Sequence, residues 1–456
     1  MARVLLILPH LPQRMGAPYL GQQYIAASLL AAGHEVKCLD AAAVRFEGDD
    51  ADVVAEAERF SPDMIGMTLF TLNARRGYLL AKALRHTTRM LVAGGPHPTV
   101  LPREALDHGF DVSVAGEGEH VIRALATYLD DGGDLSQVPG VFLPDGHGPP
   151  NGFIDDLDAL AFPLTSYSTF DPALYSEGAT IVPGGMMTSR GCPARCSFCA
   201  NYVTGRGYRF RSTKNIIAEM VALNATHDVR NFPFWDDAFT ARRPRLNALC
   251  DGILAEPRLR GITWTCITPG NMVRPVDLER MRAAGCVAIN FGIESGDYNV
   301  LKIIQKGQRP EQVRAAVRAA KAVGMTTIVN FMFGFPGEGV PELDNTLRFM
   351  EQLAEDTDFF NNRGVLVPFP GTTIYDQHRE TYGLEGWWLD PAMIPDAPNI
   401  HVLDPQQSQR YLEQDPTLDL DFFRYTPAIR EKIAECVRFK ALHNQRTIAR
   451  MMTAAA

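Results

Sequence analysis

Continuous apolar runs alternate with amphipathic stretches through the first 145 residues. Residues 4–8 are apolar throughout, the form a strand takes when both of its faces are covered. Residues 22–32 follow, with Ile25, Leu29 and Ala32 on one helical face and Gly33 placed as a C-terminal stop. Residues 35–39, 64–68, 90–93 and 111–114 are further predicted strands, and most are separated by helical segments. Each strand runs into a loop rich in Gly, Pro or polar residues. Repeated βα units with short connections predict a parallel, doubly wound (Rossmann-like) sheet, with a ligand at the carboxyl ends of its strands.

The texture changes between Pro139 and Tyr175. A Gly- and Pro-rich stretch, 145–150, leads into the connector 154–163, which reads as a segment that docks on something. The βα rhythm then resumes. Ser212 is placed to cap a helix carrying Ile216, Ile217, Met220 and Leu223, and Pro310 suits the first turn of another that ends before Gly324. Predicted strands here are 179–182, 232–235, 262–267, 287–292, 327–333 and 364–367. A second set of parallel βα units implies a full or partial TIM-type barrel, with chemistry at the strand C-terminal ends. Residues 427–452 look helical. The predicted fold class is therefore α/β, with domains at 1–145 and 183–385, a connector at 146–182 and a helical C-terminal region at 386–456.

Length and composition fit that division. At about 150 residues per domain, 456 residues allow roughly three domains. An apolar share of 46% and a charged share of 21% exclude a disordered or collagen-like chain. Lys+Arg 44 against Asp+Glu 53 gives a net charge of −9, which argues against nucleic acid or an anionic membrane as partner. The uncharged stretch 322–337 is broken by Gly, Pro and Asn and does not suit a membrane span. With no signal peptide at the start, the expected location is the cytoplasm.

Eight cysteines are too sparse for a disulfide scaffold, and three of them, Cys192, Cys196 and Cys199, fall within eight residues. They follow a predicted strand in the run Arg190-Gly191-Cys192-Pro193-Ala194-Arg195-Cys196-Ser197-Phe198-Cys199. A structural zinc site usually takes four ligands in two separated pairs, and no second pair or nearby His completes one here. An iron–sulfur cube held by three thiolates keeps one iron open for a substrate. Three structural thiols, or a degenerate zinc loop, are the alternatives. No Ser/His/Asp constellation and no Gly-rich phosphate loop with Lys supports hydrolase or NTPase chemistry. Cys266 and Cys286 read as core thiols, and Tyr375, Trp387 and Trp388 as packing aromatics.

This spacing, with an aromatic residue before the third Cys, resembles the radical S-adenosylmethionine (SAM) enzymes. Phe234-Trp235-Asp236-Asp237, Gly292-Ile293-Glu294-Ser295-Gly296, Phe333-Gly334-Phe335-Pro336-Gly337-Glu338 and Pro368-Phe369-Pro370-Gly371-Thr372-Thr373 extend the likeness over residues 183–376. The resemblance implies that Cys192, Cys196 and Cys199 hold a 4Fe–4S cluster whose open iron binds SAM. It places Phe198 near the adenine, Asp236 or Asp237 on the methionine ammonium, and Glu294 and Ser295 near the ribose or methionyl group.

The first domain resembles the cobalamin-binding domain of one large radical SAM subgroup. The resemblance rests on Thr68-Leu69, on Ala93-Gly94-Gly95-Pro96-His97-Pro98, on Ala115-Gly116-Glu117-Gly118-Glu119, and on the connector Leu157-Asp158-Ala159-Leu160-Ala161-Phe162-Pro163. It implies cobalamin contacts at Thr68, Leu69, Gly94, Gly95, Gly116 and Glu117, with Thr68 donating to the nucleotide tail. The usual loop carrying a cobalt-ligating His is absent: no Asp lies two residues before His10. His10 and His97 therefore read as loop residues. The resemblance puts first the methylation of an unactivated carbon in a small metabolite or natural-product intermediate, through a 5′-deoxyadenosyl radical and methylcobalamin. An external flavodoxin- or ferredoxin-type electron donor is implied. A cyclase or ring-rearranging enzyme of the same subgroup, and a cofactor-binding sensor protein, stay open, and no residue that deprotonates or orients substrate is identified.

Overall fold

A computed structural model describes residues 1–12, 14–176, 184–361, 364–393 and 420–455. The chain divides into two compact units, where its length allowed about three. The first holds the described residues of Met1–Gly184, Ala200–Gly205 and Gly386–Leu403, and the second those of Gly185–Cys199, Arg206–Glu385 and Asp404–Ala456. The connector and the C-terminal segments pack onto these two cores and build no third one.

The first unit is a seven-stranded sheet formed by β1 (Arg3–Leu8), β2 (Glu35–Asp40), β3 (Met64–Thr68), β4 (Met90–Gly94), β5 (Val112–Val114), β6 (Val141–Leu143) and β7 (Gly146–His147), in the order β2-β1-β3-β4-β5-β6-β7. β1 to β5 pair in parallel, as their apolar runs predicted. Val4, Leu5, Ile7 and Leu8 are fully buried, so both faces of β1 are covered. The helix Leu20–Ala31 ends where Gly33 takes φ +83°, a conformation that costs Gly little. β6 and β7 form an antiparallel hairpin around Pro144 and Asp145, so the connector does not begin at 146 in space. Tyr175 Oη then donates to Asp40 Oδ2 at 2.8 Å and ties the connector's end to the carboxyl end of β2.

The second unit carries a five-stranded parallel sheet in sequence order. Its strands are β10 (Asn231–Pro233), β11 (Thr263–Pro269), β12 (Cys286–Glu294), β13 (Thr326–Phe331) and β14 (Phe359–Asn361). A short antiparallel ribbon, β8 (Ser189–Arg190) with β9 (Arg209–Phe210), stands apart from it. Single parallel bridges, Met186 to Phe234 and Phe333 to Val365, mark where the chain runs on beside the sheet's two ends. The arrangement is a partial barrel. The predicted strand 179–182 lies outside the described residues. The predicted strand 364–367 is a correction: pairing belongs to Phe359–Asn361, and Val365 makes only the isolated bridge. Gly364, at φ +86°, turns the chain out of the extended form just before it.

Helices capped as their sequences suggested surround this sheet. Ser212 Oγ accepts from the Asn215 amide at 3.1 Å, and Pro310 opens the helix Pro310–Ala322. Trp264, Phe234 and Phe239 cluster in the core, with ring centroids 5.1–5.5 Å apart and the two Phe rings stacked. β11 and β13 alternate buried with half-buried residues, so the face opposite the helices is only partly covered. The helix Pro427–Ala455 packs on the helix Val340–Leu353 and on β14. Among the described residues, no helix is long and apolar enough to cross a membrane.

Candidate active site

The three clustered cysteines lie on an irregular loop that leaves β8 at Gly191. Ser197, in the middle of that loop, is fastened on both sides. Its amide donates to Ile304 O and its carbonyl accepts from the Ile374 amide, each at 2.9 Å. Cys192 and Cys196 are half-buried, Cys199 is exposed, and all three thiols are free. Burial pushes all three up, Cys199 to about 12, and the neighbouring sulfurs add to the rise at Cys199. Such thiols stay protonated until a cation ligates them and takes the proton's place.

A 4Fe–4S cube suits this donor set. The sulfurs lie within electrostatic reach of one another, and Ser197 Oγ is buried beside them with no hydrogen-bond partner, so a polar donor is left for a ligand. Among the described residues, no group of three or more His, Cys, Asp or Glu side chains is gathered as a single metal ion requires. A cube presents its irons at separate corners, so its ligands need not converge on one point.

Around the loop stand the other motifs. The Phe198 ring lies 5.9 Å from that of Phe335, and Lys306 Nζ is 5.6 Å from the Phe198 centroid. Lys306 Nζ donates to Glu294 Oε1 at 2.7 Å. Burial pushes the ammonium's pKa down, but Glu294 and the nearby cysteines outweigh it and hold the group above its ordinary value. Glu294 sits at φ +74°, left-handed for a residue with a side chain, where the β12–β13 register shifts. Strain of this kind is concentrated at functional sites. Ser295 faces the interior: its Oγ lies 3.0 Å from Thr346 Oγ1 and accepts from the Asp297 amide at 3.1 Å.

The adjacent aspartates differ. Asp236, 1% exposed, accepts from the Thr188 amide at 2.6 Å, from Thr188 Oγ1 at 2.5 Å and from Ser189 Oγ at 2.6 Å. Arg245 Nη2 pairs with it at 3.2 Å. It therefore holds the start of the cysteine loop to the end of β10. Asp237 is exposed and acts electrostatically on Cys192 and Cys199. Cys266 and Cys286 are buried in the core.

In the first unit, the carboxyl ends of β3 and β4 form a cradle. The Leu69 amide donates to Gly94 O at 2.8 Å, and the His97 amide to Leu69 O at 3.0 Å. Gly95 has φ +100°, and a Cβ there would lie 3.0 Å from Leu69 O; a Cβ on Gly94 would meet nothing within 4 Å. The open space over Gly94, with the half-buried Thr68 beside it, fits close approach of a bulky cofactor. Glu117 serves the connector: Asn151 Nδ2 donates to Glu117 O at 2.9 Å, and the Ile154 amide to Glu117 Oε2 at 2.6 Å, while the Gly116 amide donates to Thr99 Oγ1 at 3.0 Å. His97 is buried between Thr71 and Glu104, and His10 Nε2 lies 3.2 Å from Gly48 O.

Sequence reasoning missed Lys306, Arg245 and the pair Asn290–Asn330. The last two side chains meet at 2.6 Å on the half-covered face of β12 and β13. A lysine a dozen residues past Glu294 and polar residues inside apolar strands were the available signals.

Residues 186–350 match the family model described as the Radical SAM superfamily, and residues 16–126 that of the B12 binding domain. The chain is 30% identical over 390 residues to an uncharacterized methyltransferase of Pyrococcus horikoshii, with 82% of each chain covered. It is 27% identical to the anaerobic magnesium-protoporphyrin IX monomethyl ester cyclase of Rubrivivax gelatinosus, over 82% of this chain and 69% of that one. The radical SAM methyltransferase TsrM of Kitasatospora setae shares the fold, with a TM-score of 0.70 and 21% identity over 84% of this chain and 77% of that one. The chain therefore belongs to the cobalamin-binding radical S-adenosylmethionine enzymes, in their methyltransferase-like subgroup, with a 4Fe–4S cluster, S-adenosylmethionine and cobalamin as its cofactors.

Proposed function

We propose that this enzyme methylates an unactivated carbon of a small metabolite or natural-product intermediate, drawing electrons from a flavodoxin- or ferredoxin-type donor. The observation that carries the reading is the crowding of Phe198, Asp237, Glu294 and Lys306 around a loop of three free thiols. The bound cofactors supply an electron, a 5′-deoxyadenosyl radical and a transferable methyl group.

The chain's own residues bind and orient. Cys192, Cys196 and Cys199 hold the cluster. Asp237, exposed beside them, takes the ammonium of SAM, since a cation drawn into a partly dry site needs an opposite charge. Asp236 and Arg245 fix the loop from behind. Glu294, anchored by Lys306, faces the ribose or methionyl group, and Ser295 sets its backbone through Thr346 and Asp297. Phe198 packs against Phe335 and offers its remaining surface to the adenine. Thr68, Leu69, Gly94 and Gly95 receive cobalamin, with Glu117 bracing that site through the connector and Gly116 through Thr99. His10 and His97 are read as loop and packing residues and not as cobalt ligands: His10 Nε2 lies beside Gly48 O, and His97 is buried between Thr71 and Glu104.

The net charge of −9 favours a small substrate over RNA. Similarity to a cyclase keeps ring closure as a second reading. The test is product analysis with reduced, reconstituted enzyme and substrate. Methylation requires S-adenosylhomocysteine and 5′-deoxyadenosine to form together with a methylated product. Deoxyadenosine alone, with an unmethylated product, refutes it in favour of the second reading.

A further inference from the structure

The loop that carries Gly94 and Gly95 continues into a short helix, Pro96–Val100, whose His97 ring is 0% exposed. That ring is held from two sides. Its Nδ1 lies 3.2 Å from Thr71 Oγ1, and its Nε2 lies 2.9 Å from Glu104 Oε1. Glu104 in turn gathers two more donors, Tyr78 Oη at 2.8 Å and Trp388 Nε1 at 2.9 Å, with Trp388 also 3.2 Å from the second carboxylate oxygen. Burial raises the Glu104 carboxyl, yet His97, Trp388 and Tyr78 together outweigh it and hold the group below its ordinary value.

Trp388 comes from far along the sequence. The turn Trp387–Leu389 packs on Thr71–Asn73 and on the helix Ala74–Leu84, within the first unit. The Trp388 ring meets the His97 ring edge-on at 5.5 Å and 70°. One carboxylate thus links the helix after β3, the turn after β4 and a segment that follows the barrel in sequence. The same turn is tied to Leu69 through the His97 amide, and Thr99 Oγ1 donates to Gly95 O at 2.8 Å and accepts from the Gly116 amide at 3.0 Å.

We infer that Trp388 is a positioning residue for the cobalamin cradle, acting through Glu104 on His97 and so on the turn that carries Gly94 and Gly95. The inference rests on the proposal that this cradle receives cobalamin. Trp388 need not touch the corrinoid. Its indole N–H and ring edge fix the angle at which the Pro96–Val100 helix leaves β4, and with it the backbone beneath the open space at Gly94.

The test is an absorbance titration of the full-length chain with hydroxocobalamin, without cluster or SAM, so that iron chemistry plays no part. Trp388→Phe keeps the ring and removes the N–H. The bond lies within the chain and not to the cofactor, so only its coupling to the cradle reaches the equilibrium, and Kd is expected to rise by about 3- to 30-fold. Glu104→Leu, which removes the acceptor, should weaken binding at least as much, and the double variant should be no weaker than Glu104→Leu alone, because the indole acts through that carboxylate. Tyr78→Phe, which removes another donor and keeps its ring, gives a second measurement if Trp388→Phe folds poorly; it should raise Kd as well. Wild-type binding with Trp388→Phe and Tyr78→Phe both within twofold of it overturns the clamp alone. So do losses that multiply in the double variant, the result expected of a merely structural tryptophan. A wild-type chain that takes up no cobalamin overturns both the clamp and the cradle on which it rests.

Discussion

Asp236 and Asp237 share one chemistry and opposite settings, so the same exchange at each separates a positioning carboxylate from a ligand. Asp236→Asn preserves shape and removes the charge that faces Arg245, itself 5% exposed. Breaking a buried pair by neutralising one partner costs about 3–5 kcal/mol, because the other charge is left uncompensated. For a unit of this size each kcal/mol shifts the thermal midpoint by about 2–4 °C, which gives a fall of about 6–20 °C. Asp237→Asn alters an exposed residue. Its stability effect should stay within about 0.5 kcal/mol, while loss of one charge-assisted bond weakens SAM binding by about 10- to 100-fold. Scanning calorimetry of the full chain reads the first quantity in the transition of the barrel unit. Anaerobic titration of the reconstituted enzyme with SAM reads the second. An Asp236→Asn protein with an unshifted midpoint and lost SAM binding, beside an Asp237→Asn protein that binds normally, would refute the assignment.

Gly94→Ala should leave the thermal midpoint unchanged, since its added Cβ meets no protein atom within 4 Å, yet weaken hydroxocobalamin binding because the methyl enters the cradle; unchanged affinity in the absorbance titration would place the corrinoid elsewhere. Burial pushes the Glu338 carboxyl from 4.5 to about 8, although it accepts from the Gly334 and Phe335 amides. The folded chain therefore holds a proton there between pH 4.5 and about 8 that the unfolded chain has released, so this group's stabilisation fades as pH rises through that window and is gone above it. Thermal midpoints measured from pH 5 to 9 should fall more steeply with pH in the wild type than in Glu338→Gln, and parallel curves would contradict the buried-acid assignment.

Much of the fold was legible because its strands are simple. Runs such as Val4 to Leu8 have no polar face to present, so they predict a parallel sheet covered on both sides. Ser212, Pro310 and Gly33 act locally, through caps and backbone angles, and local chemistry is visible in sequence. Residues 364–367 misled for the converse reason. Their apolar composition is that of a strand, but the positive φ at Gly364 and the short pairing of Phe359–Asn361 are set by the sheet's edge. The tight hairpin at Pro144 and Asp145 carried a turn signal that the surrounding Gly and Pro residues masked.

The site divides in the same way. Three cysteines at fixed spacing on one loop were readable, because the loop alone brings them together. Which of two neighbouring aspartates turns inward was not, since Thr188, Ser189 and Arg245 decide it from other elements. Glu294 was readable from its motif, whereas Lys306 enters only because the turn after the helix Tyr298–Ile303 brings it back to β12. Gly116 and Glu117 belong to a cofactor-type motif in sequence, yet Glu117 bonds Asn151 and Ile154, and the Gly116 amide bonds Thr99.

The most direct measurement is the paired content of iron and cobalamin in protein purified without oxygen in the presence of cobalamin, for the wild type and for the Cys192→Ala/Cys196→Ala/Cys199→Ala variant. The wild type should carry iron and sulfide in the amount of one 4Fe–4S cluster and one corrinoid per chain; the variant should lose the iron and keep the corrinoid. Iron retained by the variant, or zinc in place of iron in the wild type, would contradict the account.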